Sequence, residues 1–153
     1  MNDPNPITTR PATTDDVATL ADFNLRMAME TEHKELDLAV LTPGVAAILA
    51  DAAKGHYTVA TVGGAVVGCL LITHEWSDWR NGDIWWIQSV YVLPEHRGRG
   101  VFRALYQTAE TSARAAGAVG LRLYVERDNA AAQATYQKLG MSVTDYKMME
   151  AMF

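Results

Sequence analysis

A single cysteine in 153 residues rules out an intrachain disulfide framework. Cys69 lies in an apolar run and reads as a reduced, buried thiol rather than a nucleophile. Proline is scarce, and two of the five, Pro4 and Pro6, sit in the opening six residues. Positive charge is also in short supply, with 13 Lys and Arg against 18 Asp and Glu and a formal net charge of -5. That balance argues against a general nucleic-acid surface or an anionic-membrane surface. No run approaches the ~18 apolar residues of a membrane span, and MNDPNPITTR has no signal-peptide core. The four histidines, His33, His56, His74 and His96, lack short metal-ligand spacing, which argues against a metal site. The expectation is a soluble cytoplasmic protein that binds neither nucleic acid nor membrane.

What is present is globular: 49% hydrophobic and 20% charged residues, in a chain of one-domain length. Residues 1-6 read as a flexible tail and 7-153 as a single domain. Ile7 to Arg10 suits a strand, and Val17, Leu20, Ala21, Asn24, Leu25 and Ala28 share one helical face. A second helix is expected from Pro43 to Lys54, with Pro43 in its first turn. Strands His56 to Val62 and Ala65 to Thr73 flank a Gly63-Gly64 hairpin turn, and Ile84 to Val92 continues the meander. A helix from Val101 to Ala116, a strand from Gly120 to Val125 and a helix from Asn129 to Leu139 follow. Ser142 to Phe153 is expected to add one or two strands.

The densest chemistry lies in PEHRGRGVFR, Pro94 to Arg103, which packs three arginines and two glycines into ten residues of an acidic chain. A strand enters this stretch and a helix leaves it, so its backbone amides point out of a helix N-terminus, a natural anion site. Glycine clears side chains from those amides, and Arg97, Arg99 and Arg103 can add charge-assisted hydrogen bonds. The helix dipole alone supplies only about 0.3 to 1 kcal/mol, so direct hydrogen bonds must dominate. A phosphorylated cofactor fits. A GxxxxGK[ST] loop is absent, and GxGxxG is not completed after Gly98-Arg99-Gly100. A solvated basic turn is the plain alternative.

Farther along, Asn129 stands at a helix start and Tyr136 follows two turns later on the same face. With the strand, the RGRG turn and NAAAQATYQKLGM, the sequence resembles the GNAT superfamily of acetyl-CoA-dependent N-acyltransferases. The resemblance spans nearly the whole chain and is densest from Val90 to Met141. It implies an α/β (α+β) fold: a mixed, mostly antiparallel sheet of six to seven strands flanked by about four helices. The family signature after the fourth strand is Arg or Gln, two residues, Gly, one residue, then Gly or Ala. Here Phe102 replaces the final small residue.

The resemblance implies that the amides of Gly98, Arg99, Gly100, Val101, Phe102 and Arg103, in the segment opened by Arg97, hold the pyrophosphate of acetyl-CoA. Val90, Tyr91 and Val92 match the strand that pairs with the pantetheine arm, and Asn129 matches a cofactor-contacting asparagine. Tyr136 matches the tyrosine that protonates the departing sulfur. A glutamate used by some members five residues before the asparagine is Tyr124 here. Glu75 is the substitute base, with Glu30 and Glu32 behind it; a solvent route needs none. Glu30 and Glu32 with Trp76 and Trp79 suit a cationic amine through charge pairing and cation-π contact.

The expected activity is acetyl transfer to a primary amine of a small molecule or amino acid, in a possible homodimer. Peptide or protein amines are the variant target. A CoA-responsive regulatory module with little catalysis is the alternative.

Overall fold

The computed structural model describes residues 4–153. The chain forms two compact units, one ending at Leu123 and the other running from Tyr124 to Phe153.

In the first unit, β1 (Ile7–Pro11), β2 (His56–Val62), β3 (Ala65–Ser77), β4 (Gly82–Val92) and β5 (Gly120–Arg122) form one sheet in chain order. The first three pairings are antiparallel and β4 pairs with β5 in parallel. The Gly63-Gly64 turn forms as the sequence predicts, with φ of 58° and 83° at its two central residues. Both angles positive is the condition for the tight turn whose twist matches the strands it joins.

Side-chain alternation along the sheet sorts the helices to its two faces. Tyr57, Val59, Cys69, Leu71 and Tyr91 cluster with Leu20 and Phe23 of α1 (Val17–Glu32) and Val45 of α2 (Leu38–Ala50). Gly68, neighbour to Cys69, turns the opposite way and lies under α3 (Val101–Ala115). A Cβ added there would sit 3.0 Å from Val101 Cγ1 and 3.4 Å from Leu105 Cδ1. The missing side chain lets α3 lie close against β3. Cys69 is buried, and burial pushes its thiol up to about 12, so it stays protonated and inert.

Local chemistry sets the helix starts. A single 3-10 turn at Thr14–Asp16 leads into α1. Asp16 closes that turn by accepting from the Thr13 amide at 2.7 Å and from two nitrogens of Arg10 at 2.8 and 3.0 Å. Inside α1, the buried Asn24 amide donates to the Leu20 carbonyl and to the Tyr57 hydroxyl. That pairing satisfies a polar group in the core.

The second helix starts five residues earlier than the sequence suggests. Asp37 caps it by accepting from the Ala39 amide at 2.9 Å, and Pro43 lies inside the helix. Pro43 cannot donate back to the Ala39 carbonyl, a tolerated loss in a helix otherwise packed on the sheet. The helix also stops at Ala50, short of Lys54.

In the second unit, α4 (Ala130–Lys138) starts at Asn129, whose Oδ1 accepts from the Ala132 amide at 3.1 Å. It ends with Gly140 at φ 97° and the Met141 amide donating to the Tyr136 carbonyl at 3.1 Å, a left-handed glycine stop.

The sheet has five strands, not six to seven. Ser142 to Phe153, expected to supply the missing strands, forms none. A strand needs a neighbour for its backbone groups and a face to bury. Here Val143, Tyr146, Met149 and Met152 are all exposed, so the period-two burial that would fix a strand is missing.

Candidate cofactor cradle and catalytic residues

β4 changes character along its length. Over Ile84–Trp86 it is paired on both sides, with β3 and with Gly120–Arg122 of β5. From Ile87 to Val92 it keeps β3 but has no β5 partner among the described residues. The β3 side is held by Val90 opposite Leu70, Tyr91 opposite Cys69 and Val92 opposite Gly68. Because hydrogen-bonded pairs alternate along an antiparallel ladder, Tyr91 faces β3 while Val90 and Val92 turn their backbone groups to the other side, where no β5 residue uses them.

The strand runs into a short turn at Pro94–His96 and then the glycine stretch. Gly98 has φ 72° and Gly100 φ 91°, the left-handed region that side chains disfavour. A Cβ added at Gly98 would meet nothing within 4 Å, so packing within the protein does not require glycine there. The backbone conformation does, and the same bareness leaves room for a ligand. Gly100 is the N-cap of α3 and offers no side-chain cap. The first intrahelical bond runs from the Ala104 amide to the Gly100 carbonyl at 3.0 Å. Val101, Phe102 and Arg103 thus present N–H groups that the helix itself cannot satisfy. Phe102 is half-buried, and its ring lies 6.1 Å from that of Tyr106, one turn along the same helix.

Arg97 does something the sequence does not announce. Its Nη2 donates to Glu30 Oε2 at 2.7 Å and its Nε donates to the Val92 carbonyl at 2.9 Å. The guanidinium carbon also lies 5.4 Å from the Tyr91 ring centroid. Glu30 is shared, since its Oε1 accepts from the Tyr91 hydroxyl at 2.9 Å. The Arg97 hydrogen bond, helped by that of Tyr91, holds the Glu30 carboxyl below its usual range. Burial, then the Glu30 carboxylate, pushes the Tyr91 phenol up. Glu30 and Arg97 are 67 positions apart, and no local signal links them.

Of the other candidates in this unit, Glu75 accepts from Arg122 Nη1 at 2.6 Å, across β4 from β3 to β5. Trp76 lies next to the end of β3, Trp79 stands in the turn to β4, and both are exposed, at 63% and 86%. Glu32 is exposed at the end of α1.

In the second unit, Asn129 spends its carbonyl oxygen on the cap of α4, so any further contact falls to its amide NH₂. Tyr136 lies on α4 and is half-buried; burial pushes its phenol above the ordinary value. It is a neutral O–H donor at physiological pH. Tyr124 is exposed.

Residues 21–141 match the family model for the acetyltransferase (GNAT) family. A solved structure described as a possible acetyltransferase from Clostridium difficile 630 is 49% identical. It covers 96% of this chain and 97% of its own, with a TM-score of 0.89. The aminoglycoside N-acetyltransferase AAC(6')-Iy, solved in complex with CoA, shares the fold at 18% identity and a TM-score of 0.79, covering 99% and 98%. A ribosomal-protein-alanine N-acetyltransferase from Brucella melitensis biovar Abortus 2308 does so at 18% and 0.76, covering 97% and 100%. No curated protein matches the chain significantly. With most of its length matched and a relative of nearly half identity, the chain belongs to the GNAT acetyltransferase family.

Proposed function

We propose that the protein transfers an acetyl group from acetyl-CoA to a primary amine of a small molecule or amino acid. One observation carries the cofactor half of this reading: the uncapped, glycine-cleared N-terminus of α3 directly follows the half of β4 that lacks a β5 partner. The donor set suits a pyrophosphate, with amides from Gly98 to Arg103 reinforced by the side chains of Arg99 and Arg103. Along Val90, Tyr91 and Val92, the Val90 backbone and the Val92 N–H would pair with the amides of the pantetheine arm, with Tyr91 holding the strand to β3, and the Asn129 NH₂ would add a contact.

Acetyl-CoA supplies a thioester. The amine nitrogen bonds to its carbonyl carbon, the C–S bond breaks, and the sulfur takes a proton. Tyr136 is the donor of that proton, kept neutral by its raised pKa. The amine must shed a proton of its own. Glu75 is the substitute carboxylate, but one of its oxygens is engaged by Arg122 at 2.6 Å, and we assign the proton to water. Glu32, Trp76 and Trp79 are the side chains we assign to a cationic acceptor. Two relatives in fold act, by their names, on an aminoglycoside and on a ribosomal protein, so small amines and peptides belong in one screen.

The test is acetyl-CoA-dependent thiol release across amino acids, polyamines, aminoglycosides, arylamines and short peptides. Release with one amine class, lost in Tyr136→Phe, is the expected result. The exposed Tyr124, standing where some members carry a glutamate, favours a second reading as a CoA-responsive module. Saturable CoA binding with no release from any amine would select it.

A further inference from the structure

We propose that Glu30 is a positioning residue of the cofactor loop: with Tyr91 and Arg97 it forms a clasp that ties α1 to the end of β4 and sets the course of Gly98–Gly100. This rests on the reading of that loop as the pyrophosphate cradle. It moves Glu30 away from the acceptor pocket and Arg97 away from direct phosphate contact.

The geometry carries the assignment. Both oxygens of Glu30 are engaged, one by the Tyr91 hydroxyl and one by Arg97. Arg97 is held from two sides, by Glu30 and by the Val92 carbonyl, with its guanidinium over the Tyr91 ring. Tyr91 is itself buried and packs against Phe23 of α1, ring centroids 5.2 Å apart. The clasp therefore has a rigid base in the core. Immediately after Arg97 come two glycines at positive φ with a single residue between them, backbone with no side chain of its own to hold it. Arg97 is the last anchored residue before that stretch. A planar fork can bond the Val92 carbonyl and a carboxylate together, whereas a lysine ammonium on a flexible stem cannot reproduce that fixed pair of directions. An exposed ion pair adds little stability, so the clasp acts through position.

Two readings give opposite signs. If Arg97 were a phosphate ligand, Glu30 would compete for it, and Glu30→Gln would tighten CoA binding. Under the clasp, Glu30→Gln loosens the loop and weakens CoA binding about five- to tenfold. Arg97→Lys weakens it as much as Arg97→Gln, and the double variant Glu30→Gln/Arg97→Gln is no worse than either single one.

The experiment is calorimetric titration of CoA and acetyl-CoA into the full chain and these variants, with steady-state kinetics on any amine that supports release. The clasp predicts that KM for acetyl-CoA rises in Glu30→Gln, while kcat at saturating cofactor and KM for the amine change less than about twofold. Melting temperatures stay within about 4 °C of the parent, and Tyr91→Phe, which removes only one arm, shows the same pattern more weakly. Unchanged or tighter CoA binding in Glu30→Gln overturns the clasp, as does an effect confined to the amine KM. A parent chain that binds no CoA overturns the cradle reading itself, which separates the two failures.

Discussion

The helix starts of this protein fall into two kinds. Asp16 closes the turn into α1, Asp37 caps α2 and Asn129 caps α4, each with a side-chain oxygen accepting from a backbone amide. Only α3, among the described helices, begins on a glycine with no side-chain cap. At α2 and α4 a side chain takes up a first-turn amide, and before α1 Asp16 closes the preceding turn; α3 has no such side chain at its start. The difference separates amides used for stability from amides kept for binding, and it falls at the segment that carries the family signature.

The largest expected effect concerns side-chain chemistry on a capped helix. Tyr136→Phe should lower kcat by about 10² to 10⁴-fold while CoA affinity is kept, read by steady-state kinetics and calorimetry. Parent-like turnover would remove the proton-donor role.

Next comes a closed end. Asp16→Asn should cost about 2 kcal/mol of unfolding free energy at neutral pH, because Arg10 and the Thr13 amide lose a charged acceptor. The Arg10 hydrogen bond holds the Asp16 carboxyl below its usual value. A depressed folded-state pKa stabilises fully above the unfolded value of about 3.9 and loses that contribution as pH falls through the folded value. Denaturation curves of parent and variant should therefore converge in acid.

The open end should respond in binding rather than in stability. Gly98→Ala puts a methyl group where the protein offers no obstacle. It should raise the CoA dissociation constant about tenfold, for about 1 to 2 kcal/mol of backbone strain at most. A smaller change comes from Asn129. Asn129→Ala should cost about 1 kcal/mol through the lost cap; Asn129→Asp should restore the cap but not the NH₂ donors, so only CoA affinity stays reduced. The smallest effect is expected at Glu75→Gln, with kcat/KM falling less than about threefold if water takes the amine proton. A hundredfold loss would return the base to Glu75.

Much of this arrangement was legible in the sequence because it is written in local chemistry. Gly63-Gly64 marks a turn, Gly98 and Gly100 mark backbone clear of side chains, and Asn129 marks a helix start; each acts within a few residues of itself. Local marks also misled. Pro43 suggested the start of α2, while the cap that sets it is Asp37, six residues earlier. Ser142 to Phe153 was expected to form strands, yet strand formation depends on a neighbour that the segment itself does not reveal.

The pairings Glu30 with Arg97 and Glu75 with Arg122 span 67 and 47 positions. Nothing near either carboxylate in sequence names its partner. Both acidic candidates accordingly changed meaning once the fold placed a guanidinium beside them.

The central claim is that the amides at the start of α3 hold the cofactor pyrophosphate, and amide NMR on the ¹⁵N-labelled protein reads those groups one by one. Titration with CoA should shift Gly98, Gly100, Val101, Phe102 and Arg103, and titration with pantetheine, which lacks the pyrophosphate, should leave them in place. Equal shifts with both ligands, or none with CoA, would contradict the account.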